Sequence, residues 1–194
     1  GFITITGGKL MTYRLMAEWA TDLACKKLGI DKKCQTADIP LPGSEITEED
    51  RYATGFDLGG KAARGRHGSR SVNIKAENKY DESLVCECEG VSVAEVNYAI
   101  ETLGAKNIIN LRRRTRLGMG TCQGELCACR ASGLLSKANG CAKKSAEDLA
   151  SFMNERWKGM FPVAWGETLA EAQFTAWIYE GVCGLDAFDK KEEA

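Results

Sequence analysis

One histidine, three prolines and no long apolar run stand out in this chain of 194 residues. Proline scarcity suits a helix-rich fold, because each interior proline breaks the ladder of helical hydrogen bonds. No apolar stretch reaches the length of a transmembrane helix. The formal net charge is −1, so no global field marks the chain for nucleic acid or for a membrane surface. The dinucleotide fingerprint Gly-x-Gly-x-x-Gly is missing. Gly118-Met119-Gly120 approaches it, but the next glycine, Gly124, falls one residue late and a basic stretch precedes the motif. The lone histidine, His67, lies among Arg64, Gly65, Arg66 and Gly68 with no acid beside it in sequence, so it is not assigned as a general base. No internal repeat or low-complexity tract is visible.

Cysteine, by contrast, is abundant: nine residues, an odd number that argues against a secreted disulfide scaffold and for a reducing compartment. Cys86 and Cys88 form a Cys-x-Cys pair, and Cys122 and Cys127 a Cys-x-x-x-x-Cys pair, with 33 residues between Cys88 and Cys122. Four thiolates suit either a tetrahedral structural zinc or an iron–sulfur cluster. Paired zinc cysteines are usually two to four residues apart, whereas these gaps are one and four. Gly90, Gly118, Gly120 and Gly124 crowd the pairs, and small residues let backbone N–H groups approach cluster sulfurs. The cluster is therefore favoured. Cys129, two residues past Cys127, is not needed to complete the set. Cys25, Cys34, Cys141 and Cys183 are scattered and read as buried or idle thiols.

The strings Val85-Cys86-Glu87-Cys88-Glu89-Gly90-Val91 and Gly118-Met119-Gly120-Thr121-Cys122-Gln123-Gly124-Glu125-Leu126-Cys127 resemble the bacterioferritin-associated-ferredoxin-like (BFD-like) [2Fe–2S] domain. That resemblance implies a small helical unit over about 84–135 whose loops hold the cluster through Cys86, Cys88, Cys122 and Cys127.

Charge is unevenly distributed. From Ala105 to Ser145 there are nine Lys or Arg against one acid; from Ala146 onward acids outnumber bases ten to four. The densest run, Arg112-Arg113-Arg114-Thr115-Arg116, has no interleaved aromatics and so does not read as a nucleic-acid surface. Two readings stay open for it: a solvated helix end, or counter-charge to an anionic cluster.

Phe2-Ile3-Thr4-Ile5-Thr6 alternates like a strand, Gly7-Gly8-Lys9 turns, and Leu10 to Leu28 has helical spacing that ends at Gly29. Strand, glycine turn and helix start form an anion-binding geometry. Leu10 stands where a P-loop would carry Ser or Thr. The string Thr6 to Arg14 resembles the flavin-contacting segment of FAD-dependent glycerol-3-phosphate dehydrogenases. By that resemblance Gly7, Gly8 and Lys9 would contact FAD or substrate, with Thr12 nearby. Met11 replaces the second threonine usual in that family, and its contact is not carried over.

Four segments result. Residues 1–38 read as the end of a FAD domain, 39–83 as a helical cap or linker region, 84–140 as the BFD-like domain and 141–194 as a C-terminal helical extension. Ile39 to Ser44 is a turn-rich linker, and Thr47 would cap a helix reaching Gly55. Val93 to Leu103 is amphipathic, with Val93, Val96, Ala99, Ile100 and Leu103 on one side, and should bridge the cysteine pairs. Ser145 should cap a helix to about Lys158, and Glu167 to Glu180 should form another, stopped by Gly181. In that last helix Leu169, Ala170, Phe174, Trp177 and Ile178 should face the core. The fold class is mainly α.

Together the two resemblances imply the family of anaerobic, FAD-dependent glycerol-3-phosphate dehydrogenase large (A) subunits, with this chain similar to its C-terminal portion, cut inside the FAD domain. The implied parent oxidises glycerol 3-phosphate to dihydroxyacetone phosphate. It passes electrons through the [2Fe–2S] site to partner subunits, including a membrane-anchoring iron–sulfur subunit, and so to quinone. The implied location is cytoplasmic, peripheral on the inner face of the membrane. The fragment alone would not hold FAD tightly or turn over. A stand-alone ferredoxin-like or iron-delivery module, and a component of an amino-acid- or opine-type flavin dehydrogenase, are the rival readings.

Overall fold

The computed structural model describes residues 1–44 and 58–188, and these are mainly helical. The chain divides into two compact units, Gly1–Ile46 and Thr47–Ala194. The helix expected from Thr47 to Gly55 lies outside the described residues.

In the first unit a 3-10 turn, Leu10–Thr12, leads into α1, Tyr13–Leu28. Gly29 closes α1 in the left-handed region (φ 70°), where its N–H reaches the last carbonyls, as the sequence predicts. The alternating segment from Phe2 to Thr6 is not a strand. A β-ladder needs a second backbone to hydrogen-bond, and among the described residues none pairs with it. Phe2 is 90% exposed, and Trp19 on α1 is 64% exposed, so apolar periodicity in this unit marks faces that the unit itself does not cover.

The second unit carries the core. It comprises α2 (Leu58–His67), a two-stranded antiparallel sheet of β1 (Leu84–Cys86) and β2 (Val91–Ser92), α3 (Val93–Glu101), α4 (Ile108–Thr115), α5 (Ala128–Asn139), α6 (Ala142–Met160) and α7 (Gly166–Trp177). Val93, Val96 and Ala99 of α3 are buried, with Ile100 and Leu103 packed against them, so the predicted stripe is the packed one. They meet Ile108 and Leu111 of α4, Ala131 and Leu135 of α5, and Met153 and Trp157 of α6.

Two expectations are corrected here. Ser145 does not start a helix: α6 begins earlier, and Ser145 is buried within it, its carbonyl accepting from Ser132 Oγ at 2.9 Å. On α7 the buried stripe is Ala172, Thr175, Ala176 and, in the π-helical turn Ile178–Val182, Tyr179; Phe174 and Trp177 are 59% and 68% exposed. Both stripes have helical period, and the smaller side chains allow the closer approach.

Candidate metal centre

Both cysteine pairs sit on turns that neighbouring elements enforce. β1 ends at Cys86, a tight turn carries Cys88 and Gly90 (φ 60°), and β2 returns to Ser92, whose hydroxyl caps α3 by accepting from Glu95 N–H at 3.2 Å. The second pair follows α4, which ends at Arg116 in the left-handed region (φ 63°). The chain then winds through Gly118 to Gly124, with Gln123 N–H on the Gly120 carbonyl at 2.9 Å, and enters α5 directly after Cys127. Gln123 is itself left-handed (φ 51°). Its side-chain amide donates to the carbonyls of Gly120 and Met119 at 2.9 and 3.3 Å, which holds the loop in that conformation.

The folds of these loops bring the four predicted cysteines into two pairs. Cys88 Sγ lies 3.8 Å from Cys122 Sγ, and Cys86 is hydrogen-bonded to Cys127. Cys86 and Cys127 are buried, Cys122 half-buried and Cys88 exposed, so one side of the group faces solvent. Among the described residues no three His, Cys, Asp or Glu side chains converge as ligands of a single ion; the sulfurs meet as two pairs. The hydrogen bond from Cys127, with N–H groups of Gly118 and Glu89, pulls the Cys86 thiol down to about 6. Cys127 is pushed up, because it donates to Cys86 and is buried. At Gly120 a Cβ would stand 2.2 Å from Cys88 Cβ, so only glycine lets the second loop lie against the first.

Guanidinium groups from outside the two motifs tie the loops down. Arg130 Nη1 donates to the Val85 carbonyl at 3.1 Å and pairs with Glu87 at 2.5 Å, which holds the Glu87 carboxyl below its ordinary range. Arg116 pairs with Glu89 at 2.8 Å with the same effect. Arg66, on α2, donates to the carbonyls of Glu89 and Gly90 at 2.7 and 3.1 Å. It also grips Glu95 through two nitrogens, at 2.8 and 2.5 Å, while His67 Nε2 meets the same carboxylate at 2.8 Å. The lone histidine therefore has an acid partner after all, 28 positions away in sequence and fully buried. On the other side Arg156 of α6 donates to the Cys122 carbonyl at 3.2 Å and to Glu125 at 3.3 Å. Glu125 also accepts from Thr175, and its carbonyl from Tyr179, whose phenol burial pushes up to about 12.

The basic run thus divides its work. Arg116 reaches the Cys-x-Cys turn, Arg112 donates to Gln123 Oε1 at 3.2 Å, Arg114 donates to the carbonyls of Leu103 and Asn110, and Arg113 is exposed. Arg66, Arg130 and Arg156 carried no sequence signal, since each lies outside the run. Cys129, Cys141 and Cys183 are exposed, so of the buried-or-idle alternatives the last two are not buried, and Cys25 and Cys34 are half-buried.

In the first unit Gly7, Gly8 and Lys9 line an open concavity of about 490 Å³ with Ile5, Leu10 and Tyr13. Thr12 is exposed and is not part of that lining; its hydroxyl donates to the Lys9 carbonyl at 2.9 Å.

A four-thiol site with backbone N–H groups at its sulfurs, set on two loops of a helical unit, defines the class: residues 84–137 match the BFD-like [2Fe–2S] binding domain. Over nearly all its length the chain is similar to the A subunits of anaerobic glycerol-3-phosphate dehydrogenases. It is 55% identical to the A subunit of the anaerobic glycerol-3-phosphate dehydrogenase of Escherichia coli strain K12 over 195 residues, covering 98% of this chain and 36% of that protein. To the A subunit of the Haemophilus influenzae enzyme it is 52% identical over 96% of this chain and 34% of that protein. To the A1 subunit of the Haloferax volcanii enzyme it is 38% identical, over 96% and 32% respectively. The chain spans about a third of the length of these curated relatives. No solved structure matches it.

Proposed function

We propose that this chain is the electron-transfer end of an FAD-dependent glycerol-3-phosphate dehydrogenase, holding a [2Fe–2S] cluster through Cys86, Cys88, Cys122 and Cys127. The observation that carries the reading is the pairing of those four sulfurs across two loops, Cys88 with Cys122 and Cys86 with Cys127, with Cys88 against Gly120 and N–H groups of Gly118 and Glu89 aimed at Cys86. The donor set fits the group: four thiols, two of them buried, and no competing imidazole or carboxylate among them. When bound, the cluster would accept and release one electron at a time. The protein keeps the thiols in register, supplies N–H groups and guanidiniums around them, and leaves Cys88 exposed as the side from which electrons leave.

In the parent, glycerol 3-phosphate would lose a hydride from its secondary carbinol carbon and a proton from the hydroxyl, giving dihydroxyacetone phosphate and reduced FAD. Gly7, Gly8, Lys9 and Thr12 are proposed contacts for FAD or substrate. Residues 1–38 would belong to the FAD domain, 39–83 to a cap or linker, 84–140 to the cluster domain and 141–194 to an extension that braces it. Electrons would pass to partner subunits, one of them a membrane-anchoring iron–sulfur subunit, and on to quinone. No helix among the described residues is long and apolar enough to cross a membrane, so attachment on the inner face of the cytoplasmic membrane would come through those partners. Identity to a dehydrogenase large subunit over 98% of the chain favours this reading over a stand-alone ferredoxin-like module, which the 84–137 segment alone would satisfy.

Anaerobically purified chain is expected to hold two irons and two acid-labile sulfides, with the visible absorption of a [2Fe–2S] centre. Ser at any of the four cysteines should abolish or bleach the centre, and Cys129→Ser should leave it intact. A stoichiometric zinc without sulfide would overturn the assignment.

The arginines tied to the Cys-x-Cys turn should also be visible in the potential. Removing a positive charge disfavours the more negative, reduced state. Arg130→Gln and Arg116→Gln should each lower the midpoint potential by roughly ten to thirty millivolts at low ionic strength, less in high salt. Arg114→Gln, whose guanidinium is turned to the carbonyls of Leu103 and Asn110, should leave it unchanged. Redox titration of the three variants is the measurement. Equal shifts in all three would mean the basic run acts only as a diffuse field.

A further inference from the structure

Behind the second cysteine loop lies a cavity of about 450 Å³, lined by Ile109, Arg112, Gln123, Phe152, Arg156 and Met160 among others. Arg156 is its unusual member. The side chain is 10% exposed, and of its three guanidinium nitrogens only Nη2 has partners, the Cys122 carbonyl and Glu125. Nε and Nη1 are buried with none. Three N–H donors of a permanent cation are left unpaired in an apolar surround, an arrangement that costs more than leaving a neutral donor unpaired. Arg112 faces the same space, anchored through Nη2 to Gln123 Oε1.

Acids do not neutralise the cavity. Glu155 stands at its mouth, 69% exposed and turned 3.5 Å from Lys158 Nζ. Glu125 meets only Nη2, at 3.3 Å. Counting Arg112, Arg156 and Lys158 against Glu125 and Glu155 leaves an excess of one positive charge. Apolar walls with two guanidiniums suit a small organic molecule bearing an oxyanion, and guanidinium donors match the oxygens of phosphate and carboxylate.

We propose that this cavity binds the oxyanion group of a small phosphate ester or carboxylate between the side chains of Arg156 and Arg112. The site reports to the cysteine loop, because Arg156 also holds the Cys122 carbonyl and Gln123 is the next residue. A bound anion stiffens the second loop without touching a sulfur. It needs neither FAD nor turnover, so failure to bind would leave the assignment of the cysteines intact.

Isothermal titration of the full chain with inorganic phosphate, glycerol 3-phosphate and succinate tests this. One site per chain is expected for at least one of the three, and the preferred probe identifies the source as a phosphate or a carboxylate. Arg156→Gln and Arg112→Gln should weaken binding by roughly ten- to a hundredfold. Arg113→Gln, on the same helix but outside the lining, should not. Arg112 is half-buried, so its variant keeps the test valid if Arg156→Gln fails to fold. No binding of any probe at millimolar concentration, or equal loss in Arg113→Gln, would overturn the proposal.

Discussion

Glu95→Gln should lower the stability of the second unit by about 3 kcal/mol or more, the cost typical of breaking a buried ion pair from one side. The carboxylate is fully buried and is gripped by Arg66 at 2.5 and 2.8 Å and by His67 at 2.8 Å, while the Arg66 side chain is only 12% exposed. An amide in its place keeps the shape but leaves a buried guanidinium without its counter-charge. At this chain size the loss corresponds to a fall in Tm of roughly 6–12 °C. The effect should extend to the cysteines. Arg66 links α2 to the Glu89 and Gly90 carbonyls, so a misplaced guanidinium frees the turn that carries Cys88. Melting curves followed through the cluster absorption, at fixed scan rate, give both readouts. The double variant Arg66→Met, Glu95→Leu separates charge from packing: recovery of stability without recovery of cluster lifetime would assign the turn anchoring to Arg66. A Glu95→Gln chain as stable as the parent would show that the triad is not a structural pin.

How much of this was legible in the sequence depends on the reach of each interaction. The four cysteines stood out in the sequence because both pairs are local, and cluster spacing is a short-range signature; their meeting as Cys88 with Cys122 and Cys86 with Cys127 is seen only in the fold. The α3 stripe was legible because Val93, Val96 and Ala99 repeat at helical period and face a single core. What was not legible is what lies across space. Glu95 reads as an ordinary first-turn acid of α3, and only the fold brings it to His67 and Arg66. Arg130 and Arg156 read as isolated charges, yet they brace the cysteine loops, whereas the conspicuous run from Arg112 to Arg116 sends only Arg116 to the Cys-x-Cys turn. On α7, periodicity marked the stripe with Phe174 and Trp177, whereas the smaller Ala172, Thr175 and Ala176 are the residues that pack. The Phe2 to Thr6 segment shows the complementary limit: alternation states that a segment can pair, and pairing needs a partner backbone.

Gly120→Ala should remove the cluster altogether while leaving most of the helical core folded. The added methyl carbon would lie 2.2 Å from Cys88 Cβ, 3.3 Å from its Sγ and 3.5 Å from its Cα. Carbon–carbon contacts settle near 3.5–4.0 Å, so about 1.5 Å of separation must be found between the loops. Neither side can supply it by a rotamer change, because the clash is with atoms at and beside the backbone. The second loop is further held by the Gln123 amide on the Gly120 and Met119 carbonyls, so opening it breaks those bonds as well. Overpacking of this kind typically costs 1–3 kcal/mol in a core, but at a ligand site the larger consequence is geometric: displacement beyond about 0.5 Å is enough to lose a preorganised donor set. Iron and sulfide should therefore fall close to zero with far-ultraviolet dichroism little changed. Gly133→Ala is the opposing control. A methyl there meets nothing within 4 Å, the residue is on the exposed face of α5, and the change should stabilise the helix by roughly 0.5–1 kcal/mol with full cluster content. If Gly120→Ala retains two irons and the parent spectrum, the two loops do not meet across Gly120, and the four-cysteine site must be assembled in some other way.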